Sequence, residues 1–431
     1  MKKALLSVLV VGILAVATWA AASAYTGYQA KAGIEALTTP EPGSTPLRFS
    51  DLNHKQGVFG SSGTVTLPYP DPDATQQPRT DLFQMEITYT FDHRVAFENM
   101  LRFDWTASFI GSAEETMQET FGQNPELTGA GNWDWEGVAK SSYTIPALEA
   151  YESDEALVMS PVTGHVEFDQ AALLFNLNMP TLLISSEDDT TRVSNIELEL
   201  HAKDRFTGEG RSEFRVGDIE FAQGHINGLK IVANNSVSGN RVDISLDKSI
   251  EQLTVADTTV SDIRLALLFD DLYAPSVTAL SAIMNTAGNL EHLTPTQQQV
   301  VQGALRDLFV YGFSVGVTDL SGETTNGSVT GQALATIKPA DEPNIDPTRP
   351  FQFDGAKQLE MSAVLDVNGK AMAPQVMAIG LMFGVLVPSE NGFNSSMSLS
   401  AGQLVINETV VPVAEELRQI NQMITDALRA Q

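Results

Sequence analysis

Cysteine is absent from all 431 residues, which excludes disulfides, thiolate metal sites and cysteine nucleophiles. Small exported domains often need such staples, but a body of roughly 400 residues buries enough apolar surface to fold without them. Basic side chains are scarce: 25 Lys and Arg stand against 54 Asp and Glu, a formal net charge of −29. A polyanion of this kind repels nucleic acid and anionic headgroups, so no nucleic-acid partner is expected. Its acidity suits solubility in a saline medium that screens self-repulsion.

Histidine is sparse too. The six residues at 54, 93, 165, 201, 225 and 292 show no His-x-His or His-Glu-x-x-His spacing, so no metal site is assigned. Neither a Gly-x-Ser-x-Gly elbow, a Walker loop nor a dinucleotide-binding glycine motif is found. The stretch TGEGRSEF at 207–214 lacks the lysine and following helix of a phosphate site and reads as a turn. Asp-Asp pairs at 188–189 and 270–271 arise freely in so acidic a chain. Asp134 and Glu136, alternating with Trp133 and Trp135, would share one face of a strand and are the best carboxylate pair for acid/base work. A solvated face explains them more simply, and no catalytic, cofactor-binding or metal residue is assigned. His54 reads as a turn or strand-edge residue.

What is present begins with an apolar leader. Ala4 to Ala24 carry no charge and follow Lys2 and Lys3, a length that spans a bilayer's hydrocarbon layer. Ala22-Ser23-Ala24 is also an acceptable cleavage signal, so 1–24 is a signal anchor or a signal peptide. Either reading exports the remainder across the inner membrane into the periplasm. The run exceeds the usual signal core, and Trp19, Tyr25 and Tyr28 suit an interface, which favours the anchor. Residues 25–46 form a helix extension over Tyr25 to Leu37, then a proline-rich linker, TTPEPGSTP.

Beyond the linker the dominant period is two. Met85, Ile87, Tyr89 and Phe91, and then Leu101, Phe103, Trp105, Ala107 and Phe109, alternate with polar residues. The pattern recurs at Ile196–Leu200, Val242–Leu246, Ile263–Phe269, Phe313–Val317, Met361–Val367 and Met397–Leu399. Asn234-Asn235, Ser238-Gly239-Asn240, Asn326-Gly327, Asn368-Gly369 and Asn391-Gly392 supply turn signals. Helical spacing marks 270–288 and 294–311, where Thr294-Pro295 opens the second helix, and a terminal helix at 413–430. The expected fold is α+β and mainly β, a long antiparallel, meandering and curved sheet. A β-rich half (47–269), a helical pair (270–311) and a second β-rich half with terminal helix (312–431) follow the leader. Pro339–Pro350 is a rigid connector or a loop.

Four stretches resemble the YdgA-like or DUF945 family of bacterial proteins of unknown function. They are YTGYQA (Tyr25, Thr26, Gly27, Gln29), HKQGVFGSSGTVTL (Gly57, Phe59, Ser61, Ser62), VYGFSVGVTDLSGETTNGSVTGQALATI, and MSLSAGQLVINETVVP (Gly402, Leu404, Ile406, Asn407). Glu408 stands where that family commonly has glycine, so its turn needs another geometry, or Asn407 alone in the left-handed region. The resemblance implies the β architecture, an envelope address and a retained anchor, and carries no activity or cofactor.

The resulting expectation is a noncatalytic envelope protein, a scaffold or a lipid-binding or other hydrophobic-ligand-binding protein. Its partners would be the inner membrane, reached through the N-terminal helix, and a lipid or another envelope protein. The alternatives are an envelope hydrolase using dispersed carboxylates and a homo-oligomer formed through sheet edges.

Overall fold

In the computed structural model the described residues run from 50 to 428, apart from 58, 69–83, 95–98, 153–154, 170, 187–188, 205–207, 288–292, 341–352 and 372–373. The expected leader, linker and Pro339–Pro350 connector fall wholly or largely outside them. Among the described residues no helix is long and apolar enough to cross a membrane. The chain is mainly β and divides into two compact units, 1–201 and 202–431.

The first unit holds β1 (Ser50–Gln56), β2 (Gly60–Pro68), β3 (Gln84–Asp92), β4 (Leu101–Ile110), β5 (Leu127–Trp133), β6 (Ala139–Ile145), β7 (Leu148–Glu152), β8 (Glu155–Met159), β9 (Val162–Phe168) and β10 (Leu173–Ser185). Antiparallel neighbours follow in sequence from β1 to β6, and then β6 pairs β9. That jump has a simple cause in the register. β6 and β7 are one strand interrupted at Pro146, and β8 and β9 are one strand interrupted at Pro161, each keeping a single register with its partner. Pro161 in turn lies opposite Pro180 of β10. Three prolines therefore stand in one transverse row, where none donates to the ladder. Ser160 repairs the edge of the break: its N–H bonds the Thr181 carbonyl at 2.9 Å and its hydroxyl accepts from the Thr181 N–H at 2.8 Å.

A short helix, α1 (Ser112–Phe121), follows β4 between Gly111 and Gly122, both at positive φ, with Glu114 and Glu115 in its first turn. Strand β11 (Thr190–Asp204) crosses the division between the units.

In the second unit β12 (Glu209–Phe221), β13 (Gly224–Ser238), β14 (Arg241–Val255) and β15 (Thr258–Tyr273) form an antiparallel meander. The helical pair comes next, α2 (Ala274–Ala287) and α3 (Pro295–Tyr311), followed by β16 (Phe313–Thr324), which returns beside β15, and β17 (Gly327–Ile337). Thr294 caps α3 through a reciprocal capping box with Gln297. After α4 (Gly355–Gln358), β18 (Leu359–Asn368) continues the sheet beside β17. Then come α5 (Pro374–Met382), β19 (Val387–Ser389), β20 (Gly392–Ser400), β21 (Gln403–Ile406), β22 (Thr409–Val411) and the terminal helix α6 (Ala414–Leu428). β20 pairs β18 and carries β19 and β21 along its other edge. The buried cluster Val242, Leu272 and Leu308 fastens the helical pair to β14 and β15.

Three local expectations are corrected. Asn234-Asn235 is no turn but mid-strand in β13, where Asn234 bonds the Ser245 hydroxyl at 3.2 Å and Asn235 the Gly208 carbonyl at 3.3 Å. Ladder partners on both sides override the local turn preference. Residues 270–273 belong to β15 rather than to the helical pair, because α2 starts only where the Ala274 N–H meets the Asn240 carbonyl. In the stretch 207–214, Gly208 turns at φ +74° and residues 209–214 are strand.

Candidate functional site

Two features of the second unit's sheet follow from its register. On one face, Leu267, Val317, Ala333, Ala363 and Met397 stand side by side on five strands. Beside them runs a second row, Phe269, Val315, Ala335, Met361 and Leu399. The alanines make a shallow floor between larger walls, Leu267 and Phe269 on one side and Met361 and Met397 on the other. The result is an apolar groove of about 220 Å³. Typical small-molecule clefts are roughly 300–1,000 Å³, so this one is narrow, with room for a single chain segment and none for a bulky molecule. Phe269 also packs against the cluster beneath the helical pair, which ties the groove wall to that core.

The opposite face carries charge, since successive residues on a strand point to opposite sides. Arg215, Lys230, Ser249, Arg264 and Ser321 form one transverse row; Glu213, Val232, Asp247, Ala266 and Asp319 form the next. Glu213, 5% exposed, receives Arg211 at 2.6 Å, Arg215 at 2.5 Å and Lys230 at 2.8 Å. Hydrogen bonds from Lys230, then Arg211 and Arg215, pull its carboxyl from 4.5 down to about 2. Arg264 joins Asp247 at 2.5 Å and Asp319 at 3.0 Å. A polar hollow of about 500 Å³ lies over this lattice. Its Arg264 and Lys230 are already matched by carboxylates, so the lattice serves the sheet before any ligand.

In the first unit the stretch that carries Ser61 and Ser62 builds a small buried polar site. His93 is fully buried; its ring Nε2 lies 2.9 Å from the Ser61 hydroxyl, and its backbone N–H donates to the Phe59 carbonyl at 3.0 Å. Burial pushes His93 below its ordinary value. His54 Nδ1 meets the Tyr89 hydroxyl at 3.0 Å, which crosses Gly63, where a Cβ would strike Tyr89. A serine beside a neutral histidine has the elements of a nucleophile pair; here both side chains are buried, Ser61 at 7% exposed and His93 at 0%.

The carboxylates singled out in the sequence do not assemble. Asp134 and Glu136 are not on a strand: β5 ends at Trp133, and Asp134 shapes the turn by accepting from the N–H groups of Glu136 at 3.0 Å and Val138 at 2.9 Å. The short connection to β6 needs that Asx geometry, which points the two side chains apart in role. Of the pair at 188–189, Asp189 turns between β10 and β11 and Asp188 lies outside the described residues. Asp270 finds its partner not in Asp271 but in Asp243 across β14, and the hydrogen bond between them raises the Asp270 carboxyl. Among the described residues no three His, Asp or Glu side chains group to hold a metal ion.

The second unit is thus an antiparallel sheet with an apolar groove across β15–β20 and a charged lattice across β12–β16. The chain belongs to the family described as "Bacterial protein of unknown function (DUF945)", whose model matches residues 1–414. No curated protein and no solved structure matches it.

Proposed function

We propose that this chain is a noncatalytic, exported envelope protein, held in the inner membrane by residues 4–24, whose groove on β15–β20 binds one acyl chain of a lipid or a similar hydrophobic ligand. The observation that carries the reading is the pair of register rows described above. Three alanines on adjacent strands lower the floor between Phe269, Leu267 and two methionines, and side chains of this softness fit a flexible chain. The acidic composition and the charge-free leader support the periplasmic address.

The test is lipid analysis of the full chain isolated from its own envelope in mild detergent, beside Ala335→Phe and Ala363→Phe variants that fill the floor. Co-purifying lipid that falls at least fivefold in the filled variants supports the groove. Wild-type protein without lipid, or filled variants that keep it, defeats the reading. The intact mass from the same sample decides cleavage after Ala24.

A further inference from the structure

Between Lys370 and Glu390 the sequence runs nineteen residues without a charged side chain, AMAPQVMAIGLMFGVLVPS, in a chain of net charge −29. The run contains α5, then a tight reversal over 383–386, then β19. Ile379, Leu381, Met382, Phe383 and Val385 are exposed, Met382 and Phe383 by 73% and 70%. Leu386 turns inward at 5% and fills the space over Gly380, where a Cβ would strike it.

The N–H groups of this reversal, and two of its carbonyls, are bonded within the chain. The N–H of Phe383 bonds the Ile379 carbonyl at 3.1 Å, that of Gly384 the Leu381 carbonyl at 3.1 Å, and those of Val385 and Leu386 the Gly380 carbonyl at 2.9 and 3.1 Å. The carbonyls of Gly384 and Val385 accept from the Asn407 side-chain amide at 2.9 and 2.8 Å. Bonds of this kind close the C-terminal end of α5 around Gly384 at φ +67°. Hydrocarbon offers no partner, so a segment that enters it must satisfy its backbone groups internally.

We propose that residues 379–385 form a knuckle that inserts its apolar side chains into the interface of a bilayer with zwitterionic headgroups. A nine-residue helix is too short to span, since spanning takes about 20 residues, but suits shallow insertion. Anionic headgroups would meet the repulsion of an acidic body, and a second copy would bring another −29 to the same contact. The proposal is independent of the groove: a chain with no co-purifying lipid still inserts its knuckle.

The cysteine-free chain permits a single label. Full-length Phe383→Cys and Asp366→Cys proteins, each carrying an environment-sensitive fluorophore, are reconstituted in phosphatidylethanolamine/phosphatidylcholine vesicles with brominated acyl chains. The expected result is at least threefold stronger quenching at position 383 than at 366, unchanged on dilution with lipid. A label placed by Ile379→Cys loses that quenching when Met382→Asp and Phe383→Asp are added. Equal quenching at 383 and 366 overturns the proposal, as does shielding of the 383 label that grows with protein density, which assigns the patch to a second copy. Quenching that rises when phosphatidylglycerol is added overturns the zwitterionic assignment.

Discussion

Asn407 donates its side-chain amide to the Val385 carbonyl at 2.8 Å across 22 residues of sequence, and so fastens the apolar reversal to the β21–β22 turn. Its Oδ1 also accepts from the Ser396 N–H at 2.8 Å, and its own N–H reaches the Ser396 carbonyl at 2.9 Å. One side chain thus joins three segments. Asn407→Asp keeps the acceptor to Ser396 and removes both donors to Gly384 and Val385. Hydrogen exchange at 383–386 is expected to quicken in Asn407→Asp, with a stability loss of about 1–2 kcal/mol in urea unfolding. Unchanged exchange would refute the clasp.

Glu408 follows Asn407 at φ 68°, and Asn407 itself sits at φ 46°. Asparagine tolerates the left-handed region; glutamate is strained there. Both residues of this two-residue turn are left-handed, the geometry natural to a tight hairpin. Glu408→Gly is therefore expected to stabilise the protein by about 0.5–1 kcal/mol, despite the extra freedom glycine gives the unfolded chain. Differential scanning calorimetry checks the sign.

Glu213 connects stability to acidity. A carboxyl held at about 2 against an ordinary 4.5 contributes stability that is complete above pH 4.5 and is lost as pH falls toward 2. Its partner cations are half exposed, so screening leaves a contribution on the order of 2 kcal/mol at pH 7. The urea midpoint of Glu213→Gln should fall well below wild type at pH 7, and the gap should narrow by pH 3. A gap of equal size at both values assigns the effect to packing.

Arg241 clasps the helical pair. Its guanidinium donates to the carbonyls of Asp271 at 2.6 Å, Tyr311 at 3.1 Å and Gly312 at 3.2 Å, and lies 5.8 Å from the centre of the Tyr311 ring. Two of those carbonyls lie at the C-terminal end of α3, where a cation is favoured. Arg241→Ala is expected to cost about 2–3 kcal/mol. Arg241→Lys should recover less than half, because an ammonium lacks the planar fork that reaches three carbonyls. Thermal melts of the two variants decide it.

The period of two is legible in the residues alone, and it marks β3, β4, β11, β14, β15, β16, β18 and β20. Thr294-Pro295 announces α3, and the stripe through Leu417, Ile420 and Ile424 announces α6. These signals are local: a strand's two faces and a helix's stripe are written in residues a few positions apart. α5 escapes such a reading because an evenly apolar run carries no period, although its lack of charge in so acidic a chain is a visible mark.

Nothing in the chain aligns Ala333 with Ala363, Arg241 with Tyr311, or Asn407 with Val385. Each meeting depends on which strand lies beside which and in what register, and a slip of one residue would send the alanines to the opposite face of the sheet. Composition and alternation by themselves determined an antiparallel β protein rich in acid, free of cysteine and led by a charge-free segment. That its small apolar residues share a groove, its cations a buried glutamate, and its charge-free reversal the Asn407 amide follows from the folded sheet, because cross-strand register is settled by contacts among distant residues.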